Sequence, residues 1–346
     1  MLGLVFLLYL KFVVQIVFES SFIVLDVFLY LLLILSLNFK KVRGTIIFAL
    51  VIAVISILNP AARNIFLIFL TSYILCEFRL DTFLKLNLFI ALGVFLLCSI
   101  FILLGITHSE MFKQSIFDTR VRWDYGMGNP NTFALFVYSI LINIYLIFGQ
   151  KQKWIIALIM LVGYLTYSYT GSRTFCVSII ILIVFHLFRC FLANLRIVRL
   201  VLQLSPLIIF FLVFFFAKKV ADFPIANFVL SGRLELYNTF LNSLSVTDHI
   251  IGTPLINDDT IDSAFLHLYF ESGAFAFLVF VIMFYITIKR ATKKEMKVYI
   301  PLFCSYFAMG VTESVLTFIL LFGNMVVWVI LFQTLRGRHL PDNLCS

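Results

Sequence analysis

Charge is scarce in this chain. Asp, Glu, Lys and Arg together make up 12% of 346 residues, against 63% hydrophobic residues and a mean hydropathy of +1.10. A water-soluble core of this size cannot absorb so much apolar surface, which excludes an ordinary soluble enzyme or binding domain. Cysteine is scarce too. None of the six falls in the two long polar stretches, 107–129 and 218–263, and none has metal-ligand spacing, so there is no disulfide framework to read. No carboxylate pair with obvious metal-binding spacing stands out except Asp258 and Asp259, and adjacent acids in a loop are usually solvated. No metal and no cofactor are therefore expected. No internal repeat is evident either.

Apolar runs of about 20 residues fill the space that charge leaves, each long enough to cross a bilayer. The sequence predicts an all-α, polytopic helical membrane protein forming a single integral membrane domain over 1–346. About twelve spans are expected, at 2–18, 21–37, 44–58, 62–78, 83–106, 130–149, 154–170, 174–193, 198–217, 264–288, 298–312 and 314–335. The first run lacks a small-residue cleavage site and is followed directly by another, so it is expected to stay as a span.

With the N-terminus inside, roughly two-thirds of the 26 Lys and Arg residues fall in inner loops, among them Arg79, Arg199, Lys289, Arg290, Lys293, Lys294, Arg336 and Arg338. That bias follows the positive-inside rule and puts both termini in the cytoplasm. It also accounts for the net charge of +9, which in a soluble protein would suggest nucleic acid; no nucleic acid is expected here. Arg120, Arg122, Arg173 and Arg233 lie on the outer side, against the bias. So do both long polar stretches. The inner loops are short and basic, so chemistry is expected on the outer face.

Arg173 follows Gly171 and Ser172 at a very short turn, where Ser172 can cap the next helix. It has two readings: an anchor snorkelling to lipid headgroups, or part of an anion site. Arg233 opens an amphipathic stretch with Leu234, Tyr237, Leu241 and Leu244 at helical spacing, expected to lie on the outer membrane surface with Ser231 as N-cap. In its first turn a guanidinium and free backbone N–H groups can share an anion. Ahead of the sixth span, Asn129 and Pro130 read as a helix start. The preceding Arg120, Arg122, Trp123, Asp124 and Tyr125 interleave charge and aromatics, as a sugar-binding surface does and as ordinary membrane interfaces also do. Asp262 reads as an N-cap or as a base. Ser263, His267 and Glu271 follow on one helix face, with Glu271 roughly 12 Å deeper than Ser263. An ionisable residue inside a membrane is a site candidate. Lys11 and Asp26, in adjacent spans, are expected to form a structural ion pair.

Five motifs then come in order: "GNPN" opening a span, "TGSRT" at an outer turn, "SGRLELY" in a large outer loop, "IIGTP", and "DSAFLHLYFESGAFAF" entering the next span. In that order and topology the chain resembles the Wzy-type O-antigen and capsular polysaccharide polymerases, over most of residues 120–280. The resemblance implies a GT-C-like glycosyltransferase in the plasma membrane. It would join undecaprenyl-pyrophosphate-linked repeat units at the outer face, moving the growing glycan to a hydroxyl of the incoming repeat. It also implies catalytic roles for the outer arginines Arg173 and Arg233. Asp262 is a catalytic candidate by its own chemistry, since a carboxylate there could accept the acceptor hydroxyl proton. Arg120, Arg122, Trp123, Asp124, Asn131, His267 and Glu271 are candidates for substrate binding. Membrane lipid, a flippase and a chain-length regulator are partner candidates. Related ligases carry a His-Asn-like pair, nine residues and then Gly; here Asp262-Ser263 precedes Gly273 at that spacing. An acid in the histidine's place favours a polymerase over a ligase, and leaves the general base open. A lipid-linked oligosaccharide flippase or other transporter is the reading from another class.

Overall fold

The computed structural model describes residues 2–14, 29, 33, 59, 63–109, 111–113, 121–230, 232–253, 261–316 and 323–341. Among these the chain is almost entirely helical: α1 (Leu2–Phe12), α2 (Arg63–Leu75), α3 (Leu80–Leu103), α4 (Pro130–Ile144, continued by a π-turn over Tyr145–Gly149), α5 (Lys153–Thr170), α6 (Arg173–Leu192) and α7 (Arg196–Lys218). Then come three short helices, α8 (Pro224–Val229), α9 (Arg233–Ser243) and α10 (Val246–Ile251), and finally α11 (Ala264–Arg290), α12 (Lys293–Gly310) and α13 (Gly323–Leu335). The predicted spans 21–37 and 44–58 lie outside the described residues, as does Asp26 of the expected Lys11 pair.

Among the described residues five helices, α3, α4 with its π-turn, α6, α7 and α11, are long and apolar enough to cross a membrane. Their surroundings differ. On α13 every side chain from Met325 to Phe332 is at most 3% exposed. A helix apolar all round and covered all round is the centre of the bundle. It packs against α2, α4 and α11. By contrast α3, α6 and α7 present large apolar side chains outward, with Phe89 76%, Leu187 68% and Phe211 60% exposed. Such surface needs an apolar solvent.

Inside the bundle, polar side chains bond across helices, as they must where water is absent. Tyr138 Oη and Ser305 Oγ share a 2.8 Å hydrogen bond, and Ser305 donates on to Ser178 O at 2.8 Å. Asn87 donates to Asn143 Oδ1 at 3.2 Å.

Local starts follow familiar chemistry. Asn129 caps α4, accepting from Asn131 N at 2.8 Å, with Pro130 in the first turn, as the sequence predicted. The helix α12 begins at Lys293 rather than 298, because Thr292 and Glu295 form a capping box in a polar stretch that hydropathy does not register. The 107–129 stretch is not purely loop. Met111–Lys113 (β1) and Val121–Trp123 (β2) pair antiparallel in a short ribbon.

The ends of the bundle carry different charges. At one, Arg290 donates to Thr334 O, Arg199 to Ala291 O and Arg338 to Cys76 O, and Arg336 pairs with Glu77 while stacking on Tyr73. At the other lie Arg122, Arg173 and Arg233. The contacts thus group the residues that the charge count assigned to one side.

Candidate functional site

The turn that ends α12 organises the second end. Beyond Gly310 the chain winds through Val311, Thr312 and Glu313, with Glu313 N bonded to Met309 O at 3.0 Å. Arg233, first residue of α9, donates to Thr312 O at 2.5 Å. Thr174, second residue of α6, shares a 2.5 Å hydrogen bond between its Oγ1 and that of Thr312. The start of α6, the start of α9 and the end of α12 therefore meet on one residue. The segment entering α11 joins them through Asp262, whose Oδ2 lies 2.9 Å from Arg233 Nη2, and Glu313 Oε1 lies 3.6 Å from the same nitrogen.

Burial sets the electrostatics. The Glu313 side chain is 7% exposed, against 26% for Asp262. Desolvation pushes the Glu313 carboxyl up to about 8, although Arg233 and Arg122 pull it down. Arg233 is desolvated as well, but the charges of Glu313 and then Asp262 more than offset this and hold its pKa above the ordinary value. Asp262 is nearer to Arg233, yet Glu313 acts on it more strongly because less solvent screens that pair. Burial also raises the Tyr237 phenol. Its hydroxyl lies beside the Ser263 backbone without a well-aligned hydrogen bond, and Ser263 Oγ is likewise buried with no hydrogen-bond partner.

Two capping expectations are corrected. Asp262 does not cap α11; Ser263 holds the N-cap position, and the Asp262 carboxylate is turned to Arg233. Ser172 occupies the N-cap of α6 but its side chain makes no cap bond, so the first-turn N–H groups of that helix have no side-chain acceptor there. Arg173 itself is exposed. The amphipathic helix exists as α9, but its stripe is covered by protein: Leu234, Tyr237 and Leu241 are at most 2% exposed, with α7 packed alongside. Gly232 is its N-cap, and Ser231 lies outside the described residues.

The stretch ahead of α4 is more buried than its charges suggested. Arg122 is 8% exposed; it donates to Thr170 O at 2.7 Å and to Asn131 Oδ1 at 2.6 Å, across Gly171 at the end of α5. Asp124, 1% exposed, accepts from Gly126 N and Ser109 Oγ. Arg122 braces the turn between α5 and α6, and Asp124 holds the loop ahead of α4 together. Trp123 is half-buried, its ring 6.2 Å from that of Tyr169. Arg120, Asp258 and Asp259 lie outside the described residues.

The helix α11 breaks at Gly273, with φ 72° and ψ 173°. Its freed carbonyls are taken up: Phe270 O accepts from Thr253 N at 2.8 Å and Glu271 O from Asn59 Nδ2 at 2.8 Å. Just before the break, His267 Nδ1 lies 3.3 Å from Glu271 Oε2, a contact at ion-pair distance but without hydrogen-bond alignment, and Oε2 has no hydrogen-bond partner. This pair and the Arg233 cluster share one helix, with Asp262 and Ser263 at its entrance.

An apolar groove of about 360 Å³ runs between α3, α4 and α5. Val137, Leu141 and Val162 line it, and near one end of it Tyr125 stacks on Phe133 with Tyr169 edge-on to both. Tyr169 adjoins Thr170, the residue Arg122 grips, so that end of the groove adjoins the arginine end of the bundle.

The sequence reading brought Arg233 and Asp262 forward, and they are in contact. It missed Thr312 and Glu313. The signal was a single acid in the one-residue junction between the last two predicted spans. Among the described residues no group of three or more His, Cys, Asp or Glu side chains could hold a metal. The arrangement can bind an anion at guanidinium groups and accept a proton at a carboxylate. No family model, curated protein or solved structure matches the chain.

Proposed function

We propose that the chain is a polysaccharide polymerase of the plasma membrane, with about twelve spans in a GT-C-like arrangement, both termini in the cytoplasm and the Arg233 cluster on the outer face. It transfers the growing glycan from undecaprenyl pyrophosphate to a hydroxyl of the incoming lipid-linked repeat. One observation carries this reading: helix starts bearing Arg173 and Arg233 meet at Thr312 beside two carboxylates. Outside the cell a nucleotide sugar is not expected, so the activated bond is that to the lipid pyrophosphate. The leaving group is an anion that the exposed Arg173 and the half-buried Arg233 can hold as its charge grows. The apolar groove suits part of the prenyl chain, with the pyrophosphate toward the arginine end.

Purified protein given lipid-linked repeat units from cells lacking the polymerase tests this directly. A ladder of polymer is expected, including in excess EDTA. Activity that vanishes in EDTA and returns with Mg²⁺ or Mn²⁺ would assign Asp258 and Asp259 as ligands instead. A second reading, a transporter of lipid-linked oligosaccharide, is favoured by the break in α11 beside His267 and Glu271, since transporters build sites at broken helices. Proteoliposomes that move the lipid-linked unit across the bilayer and form no polymer would establish it.

A further inference from the structure

The acceptor hydroxyl must lose a proton, and the cluster holds two carboxylates that could take it. They are not equivalent. Asp262 Oδ2 sits 2.9 Å from Arg233 Nη2, in a close ion pair on the more solvated side of the cluster. That oxygen is taken up in holding the guanidinium, which fixes the direction in which the arginine points. Glu313 stands 3.6 Å from the same nitrogen and is nearly covered. Its position is fixed by the Thr312 turn, which Arg233 and Thr174 hold from two sides.

We propose that Glu313 is the general base of the transfer, and that Asp262 is a positioning residue that orients Arg233. This rests on the polymerase reading. In the step, an acceptor-sugar oxygen forms a bond to the anomeric carbon of the donor. The bond from that carbon to the pyrophosphate oxygen breaks, and its electron pair leaves with the lipid pyrophosphate. The hydroxyl proton passes to the Glu313 carboxylate, and from there to solvent before the next cycle.

The groups facing Glu313 agree with this role. Arg233 and Tyr237 approach from α9, Asp262 from the segment entering α11, and Arg122 from β2. Burial raises the carboxyl to about 8 and the two arginines limit the rise, which leaves a base whose proton affinity matches neutral to mildly alkaline conditions.

The test is the pH dependence of kcat for polymer formation by the full chain in detergent or nanodiscs. For the wild type, log kcat should climb with a slope near one up to about pH 8 and then level off, because only the ionised carboxylate accepts the proton. Glu313→Gln should lower kcat on the order of a thousandfold and abolish that limb. Glu313→Asp should restore part of the rate with the limb displaced. Asp262→Asn should lower kcat by letting Arg233 drift from its place, while keeping the limb. If Glu313→Gln fails to fold, the Glu313→Asp profile decides: an unmoved limb overturns the proposal. So does a wild-type kcat that is flat between pH 6 and 9, or a limb lost in Asp262→Asn and kept in Glu313→Gln. A wild type that makes no polymer removes the polymerase reading and this assignment together. A wild type that polymerises alongside a fully active Glu313→Gln removes this assignment alone.

Discussion

A guanidinium and an ammonium carry the same charge, and the difference between them separates the two readings of Arg173. An anchor to headgroups needs a charge on a flexible stem, which lysine supplies. A clamp on pyrophosphate needs a planar fork, which lysine lacks. Arg233 is the more constrained of the two, because one of its terminal nitrogens is committed to Thr312 O and the other to Asp262 and Glu313. Lysine cannot hold those partners from one atom. Arg233→Lys is therefore expected to cost on the order of 3 kcal/mol of transition-state stabilisation, roughly a hundredfold in polymerisation rate at matched membrane expression. Arg173→Lys, at an exposed position, should lose a similar factor if it clamps the leaving group. Wild-type polymer from Arg173→Lys would return that residue to anchoring. Arg122 differs again. Buried and bonded to Thr170 O and Asn131 Oδ1, it acts through the shape of the turn that carries Arg173.

At the scale of elements, the break in α11 is a fit between two glycines. Gly252 and Gly273 both have positive φ, and their backbones nearly touch: a Cβ on Gly273 would stand 2.1 Å from Ile250 O, and one on Gly252 2.4 Å from Glu271 O. Neither obstacle is a side chain that could swing away. Gly273→Ala should destabilise the protein by on the order of 3 kcal/mol, visible as a fall in Tm in detergent. Gly93→Ala, in α3 with nothing within 4 Å of the added carbon, should be neutral or slightly stabilising. Equal Tm values for the two variants would show that the break at Gly273 does not bear on stability. The groove offers a second check at this scale. Val162→Trp should fill part of it and raise KM for lipid-linked substrate about tenfold, near 1.4 kcal/mol, with kcat little changed. These examples also show what the sequence could and could not convey. Hydropathy placed the long helices within a few residues, since apolar length is a local property. Periodicity found the stripe of α9 but assigned it to lipid, because a repeat marks a face and not what covers it. Asp262 and Arg233 were singled out separately; their contact, and that of Arg233 with Thr312, 79 residues away, depend on packing that no local pattern encodes. Glu313 was read as the junction between two spans, so its chemistry went unnoticed.

For the whole molecule, the separation of charge between the two ends matters most. One end is laced by basic side chains bonded to main-chain carbonyls and to Glu77, joining α2, α7, α11 and α13. This is a structural lock, built from residues that the positive-inside rule places in the cytoplasm. The other end holds the arginines paired with carboxylates, the groove's aromatic cluster and the short helices α8 to α10. If the basic end faced outward, Arg173, Arg233 and Glu313 would face the cytoplasm, where nucleotide sugars are available, and the case for a lipid-pyrophosphate donor would lose its ground. Orientation is therefore a test of function as well as of topology. Ser243, at the end of α9, and Lys294, in the first turn of α12, are both exposed, and they belong to opposite ends. With the native cysteines replaced, Ser243→Cys should react with an impermeant thiol reagent added to intact cells. Lys294→Cys should react only after the membrane is permeabilised. Labelling of Lys294→Cys in intact cells, with Ser243→Cys protected, would invert the molecule in the membrane and take the outer-face polymerase with it.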